Sequence, residues 1–253
     1  VSHQETYYRN NAEYAAFLAD WDAAFYAKYT DALRPGKAGA KVLDVGCGVG
    51  QVIGKLTADG VDAYGVEISE PCVERASRVC PGARSYDGRS LPYGDGVFAV
   101  VGTLNVLEHV DEPEAFLSEM VRVTEPGGRV VVSSPNFLRV MGPGYHPRMR
   151  GWGQRWRNWQ GLMERRRRYR ERPDEFRFER MPPIVRKPFQ PDDDAVVVTN
   201  ALDMAWGLER CGCEVERVEC TDRRVPWVLD WLLNVTPLKW GMFNAFVVAR
   251  KRG

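Results

Sequence analysis

A carboxylate, three alternating glycines and a second carboxylate seventeen residues further on are the part of this chain best suited to chemistry. Asp44, Gly46, Gly48 and Gly50 belong to the run Lys41-Val-Leu-Asp-Val-Gly-Cys-Gly-Val-Gly50, and Glu67 ends a second apolar run. The glycines let the backbone turn sharply and approach a ligand with no Cβ in the way. A helix, roughly Gln51 to Ala58, begins at that loop. Strand, glycine loop, helix and later acidic residue together suit the ribose of a nucleoside cofactor. A dinucleotide fits poorly. The glycines are not in the G-x-G-x-x-G order that sets a pyrophosphate on a helix N-terminus, and Asp44 would repel that group. Negative charge beside the loop suits a cation, and a sulfonium with an ammonium group is such a ligand.

Three later segments complete a pattern that resembles the class I S-adenosylmethionine-dependent methyltransferases over roughly Lys41 to Asn136. They are Tyr86-Asp-Gly-Arg-Ser-Leu-Pro-Tyr93, Asn105-Val-Leu-Glu-His-Val110 and Glu125-Pro-Gly-Gly128. The resemblance implies S-adenosylmethionine as cofactor and S-adenosylhomocysteine as product. It places Asp44, Gly46, Gly48 and Gly50 at the methionine end, Glu67 on both ribose hydroxyls and Ile68 against the adenine face. It puts Asp87 and Gly88 at the adenine amino group, with Leu104 and Asn105 as further cofactor contacts. Tyr7-Tyr8 would close over the methionine end. One departure is Ala99, where the family usually has Asp after the position of Phe98.

Methyl transfer from a sulfonium is an in-line displacement, so the enzyme chiefly aligns the partners and excludes water. A general base is needed only where the acceptor starts protonated. The chain has three histidines. His3 lies near the start. His109 follows the fourth strand and is either a base or a helix-start residue bonding nearby backbone. His146 is a base from the insertion side or an inert loop residue.

The elements that must position these groups alternate. Strand signals at Lys41–Val45, Ala63–Glu67, Ala83–Tyr86, Val97–Thr103 and Arg129–Ser134 are separated by helix signals, among them Pro71–Val79 and Pro113–Val123. This implies a parallel sheet with crossover helices. Thr199–Arg210 is a helix, and Glu214–Cys220 and Asn244–Arg250 are strands that the family resemblance makes an antiparallel edge pair. The fold expected is α/β, a Rossmann-like, seven-stranded, mostly parallel sheet flanked by helices, with a helical lid insertion after the fifth strand. One domain spans 1–253. Residues 1–36 form an N-terminal cap helix, whose apolar positions Tyr14, Phe17, Leu18, Trp21, Phe25 and Tyr29 keep a helical period.

Residues 138–191 break the alternation. Between Tyr145 and Lys187 stand thirteen arginines and one lysine against five acidic residues, a net of +9. With a formal charge of +1 for the whole chain, the remainder carries −8. Trp152, Trp156, Trp159 and Met163 share one helix face and the arginines lie off it. Four readings follow: a lid whose tryptophans pack on the sheet body, a lid gripping an anionic small molecule through arginine forks, a membrane-surface helix joined by Trp227, Trp231 and Trp240, or an RNA contact, ranked last because no RNA-binding module is present. Six cysteines without paired C-x-x-C spacing read as reduced thiols. No metal site is expected, no signal or spanning segment is evident, and a cytoplasmic protein is expected. The function expected is methyl transfer to a hydroxyl or amine, oxygen favoured, of a small anionic or lipid-linked metabolite. The competitors are a non-catalytic cofactor-binding scaffold, a nicotinamide oxidoreductase and an RNA methyltransferase.

Overall fold

The computed structural model describes residues 8–21, 23–144, 146–184, 192–224 and 226–253. His3 and Tyr7 lie outside the described residues. Five parallel strands, β1 (Lys41–Val45), β2 (Asp62–Glu67), β3 (Ala83–Ser85), β4 (Phe98–Leu104) and β5 (Thr124–Pro135), are followed by β6 (Cys213–Glu219) and β7 (Asn244–Lys251). The sheet order is β3-β2-β1-β4-β5-β7-β6, with β7 antiparallel to both of its neighbours. Valines and leucines dominate β1, β4 and β5 because helices cover both faces, so no polar-out alternation is available to them. The connections from β1 run one way along the sheet and those from β4 run the other. The crevice between the C-terminal ends of these two strands is therefore where such a sheet binds ligands.

The helices are α1 (Ala12–Ala19), α2 (Ala23–Leu33), α3 (Gln51–Ala58), α4 (Glu70–Val79), α5 (Pro113–Val123), α6 (Trp152–Glu171), α7 (Ala201–Arg210) and α8 (Trp227–Val235). The cap predicted as one helix is two, α1 and α2. The side-chain amide of Gln51 donates to the carbonyls of Leu18 and Trp21, at 3.2 and 3.3 Å, and so satisfies acceptors freed where the chain breaks. The Pro-Gly-Gly segment expected to precede the fifth strand is an irregularity within it, since Thr124 pairs with Phe98 and the ladder resumes at Arg129 opposite Val100.

The segment after β5 carries a helix, α6, but that helix is oriented differently from the expectation of packed tryptophans. Trp152, Trp156, Trp159 and Met163 of α6 are exposed, whereas Asn158, Leu162 and Tyr169 are buried. The Asn158 amide donates to the carbonyls of Phe137, Arg139 and Arg148. Leu162 joins an apolar cluster with Phe137, Met149 and Val198. Tyr169 stacks on Trp206 of α7 at 5.0 Å and donates to Asp203, which also accepts from Arg165 at 3.1 Å. A polar stripe with its hydrogen bonds met holds α6 on α7.

Candidate active site

The C-terminal end of β1 leads into Gly46, Cys47 and Gly48, pinned to the neighbouring strand by hydrogen bonds from the Gly46 and Cys47 N–H groups to the Val66 carbonyl at 2.8 and 3.1 Å. Gly46 and Gly50 have φ of 77° and 88°, the left-handed region that favours glycine. Space reinforces the requirement. A Cβ on Gly46 would lie 2.3 Å from Val106 Cγ2, and one on Gly50 would lie 2.8 Å from the Ala76 Cα in α4. Gly50→Ala therefore combines backbone strain with a clash against a helix backbone. It is expected to lose about 2–3 kcal/mol of stability in urea unfolding.

Two buried carboxylates stand beside the loop. Glu67 accepts from the Gly48 N–H at 3.0 Å through Oε2 and from the Ile68 and Ser69 N–H groups at 2.8 and 3.0 Å through Oε1. Burial raises its pKa and these three donors oppose that rise. Asp44 accepts from the Tyr29 hydroxyl at 2.6 Å. Its pKa is pushed up to about 7, chiefly by burial, with the Tyr29 hydrogen bond opposing and the Glu67 charge adding. A carboxyl this far from its ordinary range is relieved by a positive neighbour. Asn105, at φ 54° beyond β4, has a buried side-chain oxygen without a hydrogen-bond partner among the described residues. Two carboxylates, an unpartnered acceptor and a backbone cradle fit a cationic nucleoside with an amino group.

Asp44, Gly46, Gly48, Glu67, Ile68, Leu104 and Asn105 line one cleft, together with Tyr8 and His109. Gly50 starts α3 just behind it. Asp87 and Gly88 depart from the expectation and are not among the lining residues; Tyr86 is. Asp87 is exposed, and one of its oxygens is taken by the Arg89 and Ser90 N–H groups of its own turn, both at 2.8 Å.

Another wall of the cleft carries the groups nearest to acid–base chemistry. His109 ends a short 3₁₀ turn after β4, its Nδ1 3.4 Å from Asp194 Oδ2. Its Nε2 lies 3.9 Å from Glu108 Oε1 and 4.0 Å from Asp192 Oδ1. Burial lowers the His109 pKa, but Asp194, Glu108 and Asp192 outweigh it, so the imidazole titrates above its ordinary value. The Tyr8 hydroxyl donates to Asp194, and the Tyr8 ring meets the His109 ring edge-on at 5.9 Å. Glu108 is fully buried, takes a hydrogen bond from Ser134 Oγ at 2.8 Å, and is pushed up to about 7 mainly by burial, with His109 opposing and Asp192 adding. The Glu108, His109 and Asp192 donor atoms lie within 4.8 Å of one another, close enough to share a proton or a divalent ion.

His146 is not part of this wall. It is buried in the insertion, where its Nδ1 accepts from the Arg148 N–H at 3.2 Å and its ring meets Phe137. A base from the lid side is thus replaced by packing inside the insertion. No residue of α6 lines the cleft, which is closed instead by α1, α2 and the segment carrying Asp192 and Asp194. Sequence reasoning missed both aspartates. The signal was the run Asp192-Asp-Asp194 directly after the insertion, 83 to 85 positions from His109.

A family model described as "Methyltransferase domain" matches residues 15–180, well over half of the chain. The chain belongs to the class I S-adenosylmethionine-dependent methyltransferase family. The carboxylate-flanked cleft fits S-adenosylmethionine, the cationic cofactor of that family. This methyltransferase is 33% identical to a norajmaline N-methyltransferase of Rauvolfia serpentina over 129 residues, which are 47% of this chain and 43% of the relative. It is 36% identical to a 27-O-demethylrifamycin SV methyltransferase of Amycolatopsis mediterranei over 125 residues, 44% of this chain and 43% of that one. The methyltransferase thus spans about half the length of the curated relatives it matches. An S-adenosylmethionine-dependent methyltransferase from Mesorhizobium loti shares its fold with a TM-score of 0.58 at 16% identity, covering 90% of this chain and 98% of that one. Among the described residues no helix is long and apolar enough to cross a membrane.

Proposed function

We propose that this methyltransferase methylates a hydroxyl or amine of a small molecule that is neutral or cationic where it meets the protein, with His109 as proton acceptor and Asp194 as the group that orients it. The observation that carries the reading is the His109–Asp194–Tyr8 chain, which faces the same cleft as Asp44 and Glu67. When bound, S-adenosylmethionine supplies an electrophilic methyl carbon and departs as a neutral thioether. Asp44, Glu67 and the Gly48 N–H would hold the donor, and Asn105 would accept from its amino groups. His109 takes the proton that the acceptor oxygen or nitrogen loses, and Asp194 stabilises the imidazolium so formed.

The acceptor expected from the sequence was anionic or lipid-linked, and the described lining gives the anionic alternative no support. It includes no arginine or lysine, while Asp192 and Asp194 stand beside His109 and the aromatic rings of Tyr14, Trp21 and Phe25. Carboxylates repel an anionic acceptor, whereas aromatic faces and carboxylates attract a cationic one. Incubating the protein with S-adenosylmethionine and a panel of amines, phenols and carboxylic acids, with products read by mass spectrometry, tests this. Transfer to amines or phenols is expected. Turnover confined to carboxylates or phosphate esters would overturn the acceptor assignment, and tight cofactor binding with no turnover on any acceptor would favour a scaffold.

A further inference from the structure

Two exposed apolar faces take no part in the cleft. On α6, Trp152, Trp156 and Trp159 are 86%, 59% and 45% exposed. On α8, Trp227 and Trp231 are 81% and 61% exposed, with Val228, Leu232 and Val235 exposed between and beyond them. Helix α8 is nevertheless anchored. Leu233 packs with Cys220 and Met242, and the Asn234 side chain accepts from the Cys220 N–H at 2.9 Å. Its apolar face is therefore turned outward while the helix itself is held to the body.

The two faces are linked through the body. Arg155 of α6 donates to the Gly142 carbonyl at 2.8 Å, Gly142 lies against the Phe243 ring, and Phe243 packs on the cluster that holds α8. Helix α8 also adjoins the helix that walls the cleft, since Asp230 lies 3.6 Å from Lys28 of α2. Arg223, just before α8, sits over the ring of Phe25, which lines the cleft.

Charge says what kind of partner fits. Two turns beyond Trp159 and Met163 stand Arg166 and Arg170, so that these two arginines, unlike the expectation that the arginines lie off the tryptophan face, extend it. Both are exposed, and among the described residues neither has an acidic partner, whereas Arg167 and Arg168 are paired with Glu171 and Glu164. Unpaired arginines seek an anionic partner, and indole rings settle where an apolar phase meets a wet one. A lipid surface with acidic headgroups offers both.

We infer that the outward faces of α6 and α8 dock this protein on an anionic lipid bilayer, with the tryptophans in the headgroup layer and Arg166 and Arg170 on its phosphates. The docking is independent of the reaction proposed above. That acceptors would reach the cleft from the bilayer rests on that reaction.

The test is sedimentation of the purified chain with vesicles of phosphatidylcholine alone and of phosphatidylcholine with phosphatidylglycerol. The parent is expected to sediment with the mixed vesicles, with a blue-shifted tryptophan emission. Trp227→Ala with Trp231→Ala, and separately Trp152→Ala with Trp156→Ala, should each lower the partition coefficient about tenfold. Arg166→Gln with Arg170→Gln should abolish the preference for anionic vesicles. Unchanged S-adenosylmethionine affinity and circular dichroism show that each variant is folded. A parent that stays in the supernatant with both vesicles would overturn the inference, as would variants that sediment like the parent. So would a dimer, by light scattering, that the tryptophan substitutions dissociate, since the faces would then meet a second copy.

Discussion

Replacing Glu67 by alanine is expected to raise the dissociation constant for S-adenosylmethionine about a hundredfold, the equivalent of about 3 kcal/mol. The residue has two tasks in one carboxylate. Its Oε1 already ties down the Ile68 and Ser69 N–H groups, and its Oε2 holds the Gly48 N–H, so the loop and the end of β2 are braced against each other. A bound ribose adds charge-assisted hydrogen bonds to the same group. Alanine removes the ligand contact and the brace together, leaving the Gly48 N–H without its acceptor. Glutamine keeps one acceptor oxygen but turns an amide N–H₂ toward either the Gly48 N–H or the Ile68 and Ser69 N–H groups, and an intermediate loss is expected. Calorimetric titration of parent, Glu67→Gln and Glu67→Ala checks the order. Parent-like affinity in the alanine variant would mean that the ribose is held elsewhere.

His109→Ala should lower kcat by about 10²- to 10⁴-fold while changing S-adenosylmethionine affinity little, since the proposal gives proton removal to His109 and cofactor retention to Asp44 and Glu67. The pH dependence separates a base from a packing residue. Asp194, Glu108 and Asp192 raise the His109 pKa, so the imidazole stays protonated, and the enzyme inactive, to higher pH than an isolated histidine. Activity should rise as pH passes through that raised value. Asp194→Asn removes the strongest raising charge, so its rising limb should move to lower pH as the maximum rate falls. A limb that stays in place would remove His109 from the role. The same linkage gives the sign for stability: His109 contributes most below its unfolded pKa, and the contribution fades as pH rises through the folded one. Activity is expected to survive a chelator, and its abolition by EDTA would instead place a divalent ion between Glu108, His109 and Asp192.

The part of the cleft built on the glycine loop was legible because it is local. Asp44, the three glycines and Glu67 lie within one strand–loop–helix–strand unit, and the unit's geometry follows from strand pairing alone. The wall carrying His109 was not, because Asp194 reaches His109 only after the chain has gone out through α6 and back. No short-range pattern records that return. Helix α6 itself was misread for a different reason. Its packed face is Asn158, Leu162, Arg165 and Tyr169, three of them polar, with Asn158 and Tyr169 buried and Arg165 half-buried by way of hydrogen bonds and an ion pair. A reading that looks for apolar residues at helical spacing chooses the tryptophans, which here are the face left over. The break between α1 and α2 was hidden likewise, since its partner is Gln51, more than thirty positions away.

The stem of the insertion behaves as a clasp. The Phe137 N–H donates to the Thr199 carbonyl at 2.9 Å, the Thr199 hydroxyl donates to the Pro135 carbonyl at 2.7 Å, and the Glu108 carbonyl takes the Val196 and Val197 N–H groups at 2.8 and 3.0 Å. The excursion thus starts and finishes at one spot on the end of the sheet, and closing it depends only weakly on how long it is. The chain between residues 139 and 184 is tied to that clasp on its way back as well, since the Ile184 N–H donates to the Asp193 carbonyl at 2.6 Å and the Met181 N–H to the Val196 carbonyl at 2.9 Å. A change inside the excursion is therefore transmitted to the aspartates beside His109.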